Sequence, residues 1–146
     1  MNKYWRLFVK RVYVDVVADL FHVGHVRLFE RAKNEGDYLI VGVHSDASVQ
    51  SYKRLPYIPE KHRYEMGRSC RFVDQVIEDA PLTITREFID QHKIDLVIHG
   101  DDKGTHFEKQ HSAAIKQGKM KYIPYTSGVS TSEIIKKIIE RKEEKK

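Results

Sequence analysis

The chain has little that would staple, anchor or interrupt it. Cys70 is the one cysteine among 146 residues, and an oxidising compartment usually leaves an even set for bridges, so a disulfide framework is excluded. No apolar run approaches the roughly 20 residues of a membrane span. Met1 to Arg11 carries Lys3, Arg6, Lys10 and Arg11 but neither the apolar stretch nor the small-residue cleavage site of a signal peptide. The expectation is a cytoplasmic protein without stable membrane insertion. Prolines are few and single, at 56, 59, 81 and 124, and there is no internal repeat, low-complexity tract or Gly/Ser/Pro linker. One domain over residues 1–146 follows, long enough for a single core to bury about two thirds of the unfolded surface.

A surplus of acid is also missing. The net charge is +5, yet residues 1–11 hold four basic and no acidic groups, residues 136–146 hold six basic and three acidic, and 12–135 hold 16 basic against 18 acidic. The excess sits in the basic ends, 1–10 and 141–146, and not in a stripe along the body. A polyanion footprint should form such a stripe, so no nucleic-acid partner is expected.

What the chain does have is alternation of two periods. Arg11 to Val17, Tyr38 to His44 and Ile94 to His99 are continuous β-branched or apolar runs, with shorter candidates at Val73 to Ile77 and Tyr122 to Ile123. Runs of that kind suit parallel strands covered on both faces. Helix-period stretches lie between them: Gly24 to Asn34, Glu60 to Ser69, Thr85 to His92, Phe107 to Gln117 and Ser130 to Arg141. The pattern predicts an α/β fold, a single-domain, Rossmann-like, doubly wound parallel sheet with helices on both faces. Ligands of such sheets sit at the carboxyl ends of the strands, which directs attention to the turns after Val17, His44, His99 and Ile123.

After the first strand, Asp19-Leu20-Phe21-His22-Val23-Gly24-His25 runs into an amphipathic helix. Two histidines three apart at a helix start share a face, at the pole where free N–H groups and the helix dipole attract anions. Gly24 between them is expected to let a ligand approach the backbone. The constellation suits a polyphosphate, with imidazole donors opposing charge that builds during transfer at phosphorus. Capping and packing alone would account for the pair as well. A zinc site normally takes three or four ligands, and no further Cys or His cluster stands at metal-ligand spacing.

His22-Val23-Gly24-His25 resembles the HxGH signature of the nucleotidyltransferase superfamily, and the rest of the chain is similar to its cytidylyltransferase branch. Gly36 to Asp46 resembles that branch's second strand and turn, and Glu60-Lys61-His62-Arg63-Tyr64 its E-x-x-R-x helix start. Cys70 to Val76 resembles C-R-[YF]-V-D-x-V, and Gly128-Val129-Ser130-Thr131-Ser132 resembles G-[IV]-S-T-[ST]. Five ordered motifs from about Arg11 to Ile139 make the resemblance specific. It implies transfer of CMP from CTP to a small phosphomonoester or phosphonate, with release of pyrophosphate and with Mg²⁺ bound mainly through the nucleotide phosphates. His22, His25 and Lys53 would be catalytic. Nucleotide contacts are implied for Val17, Ala18, Asp19, Gly24, Arg63, Gly100, Asp101, Tyr125, Gly128, Ser130 and Thr131, with Asp102 beside Asp101 in the turn near the metal. Asp19 would buttress the HxGH loop, and the Cys70 segment implies a homodimer.

Three positions depart from that pattern. Val16 replaces a glycine, Arg54 follows Lys53 where many members have glycine, and Tyr125 stands where an arginine is usual, with Ser127 in place of the acid of the same motif. Loss of an arginine fork removes a permanent charge and a bidentate donor. An adenylyltransferase of the same superfamily and a non-catalytic nucleotide-binding module therefore remain alternatives, and V-A-D-L-F-H is similar to a phosphonate-specific subgroup. Trp5, Tyr52, Tyr57 and Tyr125 would supply rings for a cage around a quaternary amine if the fold gathered them.

Overall fold

The computed structural model describes residues 9–101 and 106–145; Trp5, Asp102 and the first eight residues of the basic amino end lie outside them. Five strands form one parallel sheet: β1 (Arg11–Val16), β2 (Tyr38–Val43), β3 (Gln75–Glu78), β4 (Leu96–Gly100) and β5 (Met120–Ile123), in the order β3-β2-β1-β4-β5. Among them run α1 (Val23–Asn34), α2 (Asp46–Gln50), α3 (Glu60–Ser69), α4 (Arg86–Gln91), α5 (Phe107–Lys116) and α6 (Thr131–Glu143).

The continuous apolar runs are explained by burial on both faces. Val12 and Val14 of β1 turn toward one core with Phe29 and Ala32 of α1 and Tyr64 of α3. Tyr13 turns the other way, into a core with Ile40, Val97, Ile89 of α4 and Ala114 of α5. Alternation of side-chain direction along a strand produces this division. The expected elements are present with shifted ends: β3 begins two residues after Val73, and β5 extends back to Met120. The short α2 has no apolar periodicity to announce it. It is held by the Ser45 hydroxyl, which accepts from Ser48 N at 3.2 Å.

The strand order reverses direction at β1, since the chain builds outward through β2 and β3 and then returns to β4 on the other side. Loops leaving the carboxyl ends of β1 and β4 diverge there and open a crevice.

Candidate active site

That crevice is a cavity of about 550 Å³. From the expected set, Val17, Ala18, Asp19, His25, Lys53, Gly100, Tyr125 and Thr131 line it. His22, Gly24, Arg63, Asp101, Gly128 and Ser130 are not among its lining residues. Val16 and Arg54, two of the departures, also face it.

The histidine pair is a product of the helix start. His22 is the N-cap of α1, and its Nδ1 accepts from Gly24 N at 3.0 Å, while His25 Nδ1 accepts from His22 N at 3.2 Å. Each imidazole thus plays the part that a hydroxyl and a carboxylate play in an ordinary capping box. A ring nitrogen that accepts an amide hydrogen is unprotonated, so the neutral ring must carry its proton on Nε2. The rings lie 4.0 Å apart between centroids, and Phe21 stacks on His25 at 5.4 Å with an interplanar angle of 8°. Gly24 leaves room for the His22 ring. A Cβ there would come within 2.7 Å of the His22 ring, which fills the space the sequence had left for an approaching substrate.

Burial lowers the pKa of His25 to about 4, helped by His22 and opposed by Asp19, and burial lowers that of His22 as well. Both rings are therefore neutral Nε2–H donors at pH 7. Nitrogen-15 NMR should show that tautomer for both, and the His25 ring should titrate near pH 4 and not near 6.5. The unfolded chain takes up this proton first as pH falls. The fold accordingly loses stability between about 6.5 and about 4, while above that window the contribution is constant.

Asp19 ties two loops together. Its Oδ1 accepts from Leu20 N (3.1 Å) and Ile58 N (2.9 Å), and its Oδ2 from Tyr57 N (3.1 Å) and Arg54 Nη1 (3.0 Å). Burial would raise its carboxyl, but those hydrogen bonds and the Arg54 charge outweigh it and hold the pKa below the ordinary value. Ala18 and Leu20 on either side have φ of 59° and 48°, a left-handed conformation that costs non-glycine residues about 1–3 kcal/mol each. Thr131 Oγ1 donates to Asp19 O at 2.8 Å, so the start of α6 is pinned to the same loop, and Ser130 caps α6 by accepting from Glu133 N at 3.1 Å. Gly128, at φ 80°, makes the left-handed turn before it.

Arg63 is placed behind the cavity, not in it. It is fully buried, and Nε donates to Ile58 O (2.9 Å), Nη1 to Val17 O (2.6 Å) and His44 O (2.8 Å), and Nη2 to Asp46 Oδ1 (2.7 Å). With four of its five N–H groups spent on the protein, it positions the loops after β1 and β2; the direct nucleotide contact implied by the resemblance is corrected to that role. Asp101 Oδ1 accepts from Tyr125 N at 3.3 Å, and the Tyr125 ring lies against Gly100, where any Cβ would strike it. Of the described aromatic candidates, Tyr52 and Tyr125 line the cavity half-exposed, while Tyr57 is turned to the Arg54 guanidinium at 4.5 Å.

Sequence reasoning missed a second group in the same cavity. Asp15, His44, His99 and His111 all line it. Asp15 shares the face of Tyr13 on β1, His44 follows Gly42 at the end of β2, and His99 follows Val97 on β4, so period two sends all three toward α5, which carries His111. The usable signal was a polar residue of that parity within or just past the end of three adjacent strands. His44 Nε2 is 3.5 Å from Asp15 Oδ2, and His111 Nε2 is 3.8 Å from Asp15 Oδ1. Burial lowers the pKa of His44, but Asp15 more than offsets it and holds it raised.

Residues 15–137 match a family model described as cytidylyltransferase-like. The chain belongs to the cytidylyltransferase-like family. It is 38% identical over 131 residues to an ethanolamine-phosphate cytidylyltransferase of Dictyostelium discoideum, covering 88% of this chain and 36% of that protein. It is 41% identical over 136 residues to choline-phosphate cytidylyltransferase 2 of Arabidopsis thaliana, covering 88% of this chain and 44% of that one. The chain thus spans about two fifths of these relatives. In fold it is similar to a lipopolysaccharide core biosynthesis protein from Thermoplasma volcanium, with a TM-score of 0.70 at 24% identity over 82% of this chain and 99% of that one. The family match begins at the end of β1 and covers the loop and helix that build the histidine pair, together with the α6 start pinned to Asp19.

Proposed function

We propose that this protein transfers CMP from CTP to a small phosphomonoester or phosphonate and releases pyrophosphate. The observation that carries the reading is the pair of neutral Nε2–H imidazoles at the start of α1, with His25 in the wall of a cavity that Lys53 also lines. An acceptor oxygen attacks the α-phosphorus, the bond to the β-phosphate oxygen breaks, and the electron pair leaves with pyrophosphate. Charge grows on the α-phosphate oxygens and on the bridging oxygen, which is where preorganised donors lower the barrier. His22 and His25 donate there without having to lose a proton first. Lys53, on the exposed loop after α2, supplies a mobile point charge between acceptor and α-phosphate. The N–H groups at the start of α6 add a second phosphate cradle.

Mg²⁺ demands near-octahedral oxygen ligands. Both Asp19 oxygens are engaged by Leu20, Tyr57, Ile58 and Arg54, and Asp15 stands among imidazoles. This donor set fits an ion carried on the triphosphate, where it would neutralise the charge of the leaving pyrophosphate.

The test is pyrophosphate release from CTP and Mg²⁺ with phosphoethanolamine, phosphocholine, glycerol 3-phosphate and simple phosphonates. Release with at least one acceptor, together with protection from thermal unfolding by CTP above that by ATP, is the expected result. Silence across the panel rejects CMP transfer. Thermal protection by CTP without release would favour the non-catalytic reading, for which the Tyr125 ring over Gly100 is the supporting observation.

A further inference from the structure

We propose, resting on the reading of the cavity as a CTP site, that Arg54 binds the nucleotide triphosphate beside the His22–His25 pair through two parallel N–H groups. A triphosphate brings into the cavity more negative charge than one Mg²⁺ offsets, so cations of the protein are needed around it. Among the described lining residues, Lys53 and Arg54 are the two that carry an ammonium or guanidinium group, set against the carboxylates of Asp15 and Asp19. Arg63 does not serve, because it is fully buried and its donors are spent on Ile58, Val17, His44 and Asp46. Position 125 holds a tyrosine. The guanidinium at the described wall is that of Arg54.

Arg54 keeps the donors that Arg63 has spent. Its Nη1 donates to Asp19 Oδ2 at 3.0 Å and to Leu55 O at 3.2 Å, whereas Nε–H and the two hydrogens of Nη2 meet no acceptor among the described residues. Nε and Nη2 make one edge of the guanidinium plane, the edge that pairs side-on with two oxygens of a phosphate. The side chain is 43% exposed, so that edge is open to a ligand. The plane itself is already held, since the guanidinium carbon lies 4.5 Å from the centroid of the Tyr57 ring while Nη1 is tied to Asp19. A fork fixed in advance loses little rotamer freedom when a phosphate arrives.

The two adjacent cations serve different ends of the cavity. Lys53 Nζ stands over the Tyr52 ring at 5.5 Å, and its charge is felt by His44, where it works with burial and against Asp15. Arg54 is carried by Asp19, whose charge is felt by His25, where it opposes the lowering of the pKa by burial. Asp19 also accepts from Thr131 Oγ1 at 2.8 Å through its backbone oxygen, so Arg54 stands with the starts of α1 and α6, where N–H groups point outward. An ionised Asp19 at that place would repel a phosphate. Pairing with Arg54 cancels the charge locally and leaves three N–H groups for the ligand.

Titration calorimetry of the full chain in Mg²⁺, with CTP and with inorganic tripolyphosphate, tests the assignment without turnover. Arg54→Met should weaken both ligands by about tenfold or more, and Arg54→Lys should recover only part of the loss, since an ammonium keeps the charge beside Asp19 without the fork. The urea unfolding midpoint should move little in either variant, because the Asp19 pair is half open to water. In the pyrophosphate assay the change should appear as a raised KM for CTP, with kcat and the KM of the acceptor changed less than threefold. Unaltered CTP affinity in Arg54→Met overturns the proposal. So does full recovery in Arg54→Lys, a loss for CTP that tripolyphosphate does not share, or a raised KM confined to the acceptor. Pyrophosphate release by the parent with CTP affinity intact in Arg54→Met would overturn the role of Arg54 alone. Absence of release with CTP affinity lost in that variant would overturn CMP transfer alone.

Discussion

His25→Ala should lower turnover of CTP by about 10²–10³-fold, the cost of removing one preorganised donor from a phosphoryl-type transition state. The fold should survive. His25 Nδ1 accepts one helix-start N–H, from His22 at 3.2 Å, and losing that cap costs about 1 kcal/mol against a typical stability of 5–15. The loss should fall on kcat more than on KM, because the charge that His25 opposes is greater in the transition state than in bound CTP. Pyrophosphate release and a thermal melt on the same preparation check both halves. Turnover within threefold of the parent would place the chemistry elsewhere.

The largest effect on stability is expected at Arg63. Arg63→Met removes a buried charge whose guanidinium serves Ile58 O, Val17 O, His44 O and Asp46 Oδ1. Methionine fills part of the volume but leaves three carbonyls and a carboxylate without their donor. Breaking a buried, hydrogen-bonded charge on one side costs about 3–5 kcal/mol. A fall of that size in urea unfolding free energy is the expected result. Arg63→Lys should recover little, since an ammonium cannot reach four acceptors spread over three segments. A loss below 1 kcal/mol for Arg63→Met would show that the clamp is not needed. Because the carbonyls of Val17 and His44 begin the loops that leave β1 and β2, partly folded variants should also bind CTP more weakly.

Much of this architecture was open to reading from the chain. Apolar runs of six to seven residues between helix-period stretches require a parallel sheet covered on both faces, and the structure has one. The helix that starts at the histidine pair was legible because a cap is a local device, decided by residues three apart. Boundaries were less so: Val73 reads as strand but completes a turn, with its N–H donating to Cys70 O, and α2 has only a Ser45 cap to declare it. The roles of Gly24 and Arg63 differ from expectation for one reason. Whether a small residue makes room for a ligand or for its own neighbour, and whether a cation faces a cavity or the protein, depends on what packs beside it.

The sequence by itself determined the fold class, the family resemblance and the helix start with its histidine pair, because those rest on periodicity and short spacings. Tertiary structure decided which side chains meet. Asp15, His44, His99 and His111 are spread over nearly a hundred positions and share no spacing, yet the twofold alternation of three adjacent strands and one helix laid across them brings the four to one end of the cavity. Convergence of that kind is set by strand order, and strand order is a property of the folded sheet.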